Sequence, residues 1–203
     1  MTTPDKGPLL ARTVTEAARR YGDRAAFRLT SREGTRTVGE LSYRELDRAT
    51  DEVAVGLIAR GVGPGSVLLL SLPSGTDYAV AYLAAAKVGA TTAGANPRLR
   101  ARERRLLVDT VEPDLVLATG ALSEGIPTAQ RVEIVEPCED PGRPLLALRN
   151  NGDVAPIASA DPNRPTCICF TSGSTGDPKG VIIKHYKSVD PEKHTDEVIE
   201  ELK

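Results

Sequence analysis

The sequence predicts an α/β protein built as a layered, mostly parallel sheet with helices on both faces. Two observations carry that prediction. Helical stretches with one apolar stripe alternate with short apolar runs along most of the chain. The run at residues 67–72 is apolar at nearly every position, which suits a strand covered on both sides. Strand, helix and strand in that order imply right-handed crossovers and parallel neighbours.

The elements follow in chain order. Thr13 and Glu16 have capping-box spacing, and Leu10, Val14, Ala17 and Tyr21 share one helical face up to Gly22. Residues 25–29 and 35–41 read as a hairpin joined by Ser31-Arg32-Glu33-Gly34. Ser42 and Glu45 form a second capping box. It opens a helix with Leu46, Ala49, Val53 and Leu57 inward, and Gly61 supplies the left-handed stop. The turn Val62-Gly63-Pro64-Gly65 leads into the strand at 67–72. A helix over 77–88, closed by Gly89, and a strand over 90–93 come next.

Asn96-Pro97 breaks the chain before an arginine-rich helix that ends near Thr110. Arg98, Arg100, Arg102, Arg104 and Arg105, interleaved with Glu103 and followed by Leu106-Leu107-Val108, read as a solvated helix face; a phosphate-binding patch is the competing reading. Residues 114–119 and 131–136 are further strands. Residues 137–165, rich in Pro, Gly, Asn and Asp, lack a sustained period. The expected division is an N-terminal α/β subdomain at 1–136, a linker or surface excursion at 137–165, a strand–phosphate loop–strand unit at 166–189, and an atypical charged tail at 190–203. No internal repeat is present.

Composition narrows the function classes. With 40% hydrophobic and 27% charged residues the chain suits a folded domain rather than disorder. A formal net charge of −2 predicts no attraction to nucleic acid or to anionic membrane. The start of the chain is polar, with no signal-peptide pattern. The run at 67–72 is too short for a transmembrane segment, so the expectation is a cytoplasmic protein. Cys138, Cys167 and Cys169 form no disulfide framework, and neither His185 nor His194 stands at zinc-ligand spacing to them; no metal site is expected. Cys167 and Cys169 flank Ile168 and point to one face of a strand, where they read as buried small apolar side chains in a reducing compartment.

The chemistry lies in Phe170-Thr171-Ser172-Gly173-Ser174-Thr175-Gly176-Asp177-Pro178-Lys179-Gly180, between a strand at 166–170 and the apolar Val181-Ile182-Ile183. Three glycines bring backbone N–H groups close to a ligand without Cβ obstruction. Hydroxyls of Thr171, Ser172, Ser174 and Thr175 add donors that suit phosphate oxygens, and Lys179 adds a point charge. The string is neither a Walker A loop nor a dinucleotide fingerprint. Residue types alone leave two readings: a polyphosphate cradle, or a flexible Gly/Ser hairpin.

Residues Thr171 to Gly180 resemble the phosphate-loop signature of the adenylate-forming (AMP-dependent synthetase/ligase) superfamily of acyl-CoA synthetases, luciferases and peptide-synthetase adenylation domains. Leu41-Ser42-Tyr43-Arg44-Glu45-Leu46, Gly61-Val62-Gly63-Pro64-Gly65 and Asn96-Pro97-Arg98-Leu99 resemble earlier family landmarks in the same order. The last looks more like acyl-CoA synthetases. The resemblance implies the incomplete N-terminal portion of the family's large α/β domain. It implies activation of a carboxylic, fatty acid with ATP and Mg²⁺ to an acyl-adenylate, then transfer to CoA. Thr171, Ser172, Gly173, Ser174, Thr175, Gly176 and Lys179 would bind the phosphates, with Thr171, Thr175 and Lys179 catalytic; His185 stands where the family often has a histidine near the acyl site, and a helix-entry residue without catalytic duty is the other reading. The family's later adenine, ribose and C-terminal lysine elements have no counterpart here, so the expectation is a truncated chain, inactive alone. The alternative is a non-catalytic remnant or interaction module. Strands without all their neighbours call for a partner chain covering them.

Overall fold

The structure is a computed structural model that describes residues 9–31, 33–34, 36–136, 143–150, 158, 164–171 and 179–181. Helix α1 (Leu9–Tyr21) leads into a two-stranded antiparallel hairpin, β1 (Ala25–Thr30) and β2 (Thr37–Ser42). There follow α2 (Tyr43–Ala59), β3 (Val67–Ser71), α3 (Thr76–Val88), β4 (Thr91–Gly94) and α4 (Ala101–Val111). The described elements close with β5 (Leu115–Ala118), β6 (Val132–Ile134), β7 (Cys167–Thr171) and β8 (Lys179–Val181).

The main sheet has the order β6-β5-β3-β4-β7-β8. From β6 to β7 every neighbouring pair is parallel, and β8 joins β7 antiparallel. The expectation of a mostly parallel sheet covered on both faces is met. Side chains alternate through the sheet as a strand's period of two requires. Leu68 and Leu70 of β3, with Leu115 and Leu117 of β5, join the larger core under α1, α2 and α3. Leu69, Val116 and Ala118 face the other way, onto Leu107 and Val108 of α4. This explains why residues 67–72 carry no polar alternation.

The Ser42 capping box forms as expected: Ser42 N and Oγ both donate to Glu45 Oε2, and Glu45 N donates to Ser42 Oγ. The Thr13–Glu16 box does not. Helix α1 starts at Leu9, which places Thr13 in its second turn, where the backbone N–H groups already have helical acceptors. Gly56 in α2 is a packing necessity, since a Cβ there would lie 1.9 Å from the Leu148 carbonyl oxygen.

Arg104 corrects the reading of a fully wet arginine face. It is 5% exposed, and its guanidinium donates to the carbonyls of Leu99 and Glu124, tying the turn before α4 to the loop after β5. Arg98, Arg100, Arg102 and Arg105 are exposed as expected. The helical layer also holds a charge the sequence did not announce. Lys87 of α3 is fully buried, and its Nζ lies 2.7 Å from Asp47 Oδ1 and 2.7 Å from Asp51 Oδ1, both on α2. Thr15 of α1 donates to the same Asp47 carboxylate at 2.9 Å, so three helices meet at one cluster.

Candidate functional site

In an open parallel sheet, ligands gather beyond the carboxyl ends of the strands, where successive loops diverge. Here β7 delivers Thr171 to that edge. Its course is fixed from β4: Thr92 pairs with Cys167 and Ala93 with Ile168. The entry to β7 is held by side chains as well, since Thr91 Oγ1 donates to the Pro165 carbonyl and Thr92 Oγ1 to the Thr166 carbonyl. Ile168 and Phe170 pack into the smaller core, which orients the strand about its own axis.

Strand β8 starts at Lys179, two residues before the apolar run 181–183 that the sequence offered; Ile182 and Ile183 lie outside the described residues. The shift has a consequence. Lys179 is not a free loop residue but a strand residue in register with Thr171, while Gly180 pairs with Phe170 and Val181 with Cys169. The structure thus brings together two of the expected site residues, Thr171 and Lys179, at the two ends of the hydroxyl- and glycine-rich segment. Ser172, Gly173, Ser174, Thr175, Gly176 and His185 lie outside the described residues.

Beside this hairpin is a cluster that sequence reading missed. Tyr78 and Tyr82, one helical turn apart on α3, lie half-buried against the larger core, on the side of the sheet opposite Ile168 and Phe170. A Cβ at Gly94, the last residue of β4, would lie 2.3 Å from the Tyr78 hydroxyl, so glycine is what lets that phenol reach the sheet. Burial pushes the Tyr82 phenol up to about 12, helped by the neighbouring Cys167 thiol. Tyr78 is raised by the same two influences, burial first. The i, i+4 tyrosine pair was the available signal in the sequence.

Cys167 and Cys169 do share one strand face, as expected, with their Sγ atoms 3.7 Å apart. They are not buried, however: Cys167 is half-buried and Cys169 exposed. Tyr78 and Tyr82 of α3 lie near this face, and the Cys167 thiol perturbs both phenols. Burial raises the Cys169 thiol, and its contact with Cys167 adds to the shift.

The sequence of the chain matches a family model described as AMP-binding enzyme over residues 14–196. The chain belongs to the AMP-binding enzyme family. Among curated members, nonribosomal peptide synthetase GRA1 of Gibberella zeae is 31% identical over 147 residues, covering 72% of this chain and 2% of the relative. The dimodular nonribosomal peptide synthase of Bacillus subtilis is 30% identical over 153 residues, covering 72% of this chain and 6% of its own length. Among solved structures, the Klebsiella oxytoca NpsA N-terminal subdomain in complex with 3-hydroxybenzoyl-AMSN matches with a TM-score of 0.69 at 22% identity, covering 86% of this chain and 40% of that one. A long-chain-fatty-acid-CoA ligase from Archaeoglobus fulgidus matches with a TM-score of 0.71 at 21% identity, covering 92% of this chain and 38% of that one. The structural matches establish the fold, that of an adenylate-forming N-terminal subdomain. The chain thus spans a few per cent of these curated family members and about two fifths of these solved ones.

Proposed function

We propose that this chain supplies the phosphate-holding part of an enzyme that activates a carboxylic acid with ATP and passes the acyl group to a thiol. The observation that supports this reading most is the register pairing of Thr171 with Lys179, which closes the hydroxyl- and glycine-rich segment at the carboxyl edge of the parallel sheet. A hydroxyl residue and a lysine at the two ends, with glycines and hydroxyls between, are the donor types a polyphosphate requires. They fit the triphosphate of ATP; Mg²⁺, which takes oxygen ligands, would be shared with phosphate oxygens rather than caged by these residues.

In the proposed reaction a carboxylate oxygen bonds to the α-phosphorus while the bond to pyrophosphate breaks, and a thiol then displaces AMP. Negative charge grows on the leaving pyrophosphate. N–H groups and hydroxyls of Thr171, Ser172, Gly173, Ser174, Thr175 and Gly176 would stabilise it, with Lys179 adding a full positive charge. Thr171, Thr175 and Lys179 are the residues we assign to catalysis, and His185 to the acyl side. In this reading residues 1–136 form the scaffold, 137–165 an excursion, 166–189 the working unit and 190–203 a tail outside it.

A fatty acid as substrate and CoA as acceptor rest on the Asn96-Pro97-Arg98-Leu99 turn and on the likeness to a fatty-acid-CoA ligase. A specific observation favours a second acceptor: the curated relatives are peptide synthetases, and one matching structure is an artificially fused adenylation–PCP di-domain. Acid choice is read by ATP–pyrophosphate exchange of the enzyme containing this chain across fatty-acid and amino-acid series; exchange confined to amino acids overturns the fatty-acid assignment. The phosphate assignment is tested by calorimetric titration with Mg-ATP and with pyrophosphate. Losing one charge-assisted contact, worth about 1.5–3 kcal/mol, predicts about 10- to 100-fold weaker binding for Lys179→Ala. Equal affinity in that variant removes Lys179 from the phosphate site.

A further inference from the structure

The dithiol on β7 lies outside the residues assigned to the phosphates, and its geometry is that of a chelate. Cys167 and Cys169 stand on the same strand face with Sγ atoms 3.7 Å apart, and Cys169 is exposed. Two sulfurs at that separation, each about 2.3 Å from a shared ion as in zinc thiolates, subtend an angle of about 107° at the metal. That is one edge of a tetrahedron, reached without moving the strand. A disulfide is the poorer fit, because its S–S bond of about 2.05 Å requires the sulfurs to close by well over an ångström within a paired strand.

The surroundings complete the argument. The Tyr82 phenol lies close enough to Cys167 for the thiol to perturb it, and the Tyr78 hydroxyl lies against Gly94 at the end of β4. A phenol O–H donating to a metal-bound thiolate spreads its charge and fixes its direction, the role outer partners play in metal sites. Among the described residues no group of three or more His, Cys, Asp or Glu side chains converges. The described residues thus offer two protein donors and leave two positions open, unlike a closed four-ligand structural zinc site.

We propose that Cys167 and Cys169 form a bidentate site for a soft divalent d¹⁰ cation of the zinc type, with Tyr82 as the positioning residue and water or a small exogenous donor in the open positions. Binding converts two thiols and one M²⁺ into a neutral bis-thiolate and releases two protons; no oxidant or reductant takes part. The site is independent of the phosphate assignment, although it lies on the strand that carries Thr171.

The probe is Cd²⁺, added to the 203-residue chain kept reduced with a phosphine. The expected result is an ultraviolet thiolate-to-cadmium charge-transfer band that saturates at one ion per chain with release of two protons. Zn²⁺ should displace Cd²⁺ competitively. Cys167→Ser and Cys169→Ser each abolish the saturable band, Cys138→Ser keeps it, and Tyr82→Phe weakens Cd²⁺ about tenfold. Circular dichroism checks that the variants fold. A second measurement needs no variant: a monosubstituted trivalent arsenical should give one adduct, located by mass spectrometry on the peptide carrying both cysteines. A band that survives loss of both β7 cysteines, a band lost with Cys138, or no bridged arsenical adduct overturns the proposal.

Discussion

Replacing Lys87 by methionine is expected to destabilise this protein more than any ordinary surface change. The ammonium has no exposed surface, and it lies 2.7 Å from each of two carboxylates and 3.2 Å from the Asp47 carbonyl oxygen. Methionine fills much of the same volume but leaves Asp47 and Asp51, 19% and 17% exposed, facing each other without a cation. Breaking a buried ion pair from one side costs about 3–5 kcal/mol. Both carboxylates keep some water, so the lower end applies, about 3 kcal/mol, or a Tm lowered by about 6–12 °C at this chain length. Urea unfolding gives the free energy and calorimetry the Tm. Adding Asp47→Asn and Asp51→Asn to Lys87→Met should recover most of the loss, because the uncompensated charges are gone. The pH profile carries a separate sign. Burial raises Asp51 above its ordinary value, and Lys87 opposes that rise. The folded chain therefore binds this proton more tightly than the unfolded one, so stability falls as pH rises from the unfolded value through the folded one. Without Lys87 the folded value moves further up and the fall extends to higher pH. A Lys87→Met variant within about 0.5 kcal/mol of the parent, with an unchanged profile, would refute the reasoning, since surface substitutions do no more than that.

Two further outcomes follow from neighbouring contacts. Ser42→Ala removes the hydroxyl that accepts from Glu45 N and should cost about 1 kcal/mol in urea unfolding at constant m; no change in midpoint would mean the box contributes nothing. Glu133 is held below the usual carboxylate range by its hydrogen bond to Arg60, so its contribution is complete above the unfolded value of about 4.5 and fades as pH falls through the lower folded one. Glu133→Gln should flatten the acid side of the stability profile, and an acid limb identical to the parent's contradicts that assignment.

Much of the scaffold was legible because local and tertiary signals agreed. Ser42 and Glu45 sit three apart before an apolar stripe, and nothing in the fold competes with that box. Residues 67–72 announced a doubly covered strand because both layers demand apolar side chains there. What failed to show was decided by distant partners. Thr13 has a cap's spacing, but the helix extends a turn upstream of it. Arg104 looks like its exposed neighbours in sequence, and only the carbonyls of Leu99 and Glu124 reveal why it is buried. Lys87 near the end of α3 reads as a favourable last-turn cation, whereas its acceptors lie 36 and 40 residues upstream on another helix. For the site, residue types left a phosphate cradle and a Gly/Ser hairpin both open; the pairing of Thr171 with Lys179 is a tertiary fact that no spacing states.

That pairing sets the girth of the segment it ties off. Thr171 and Lys179 are opposite partners on adjacent antiparallel strands, which fixes their Cα atoms about 4.5–5.5 Å apart whatever lies between them. The segment is a noose whose knot belongs to the sheet. Inserting or deleting a residue within it resizes the ring without shifting the knot. Most of the entropy of drawing its ends together is met when the hairpin forms.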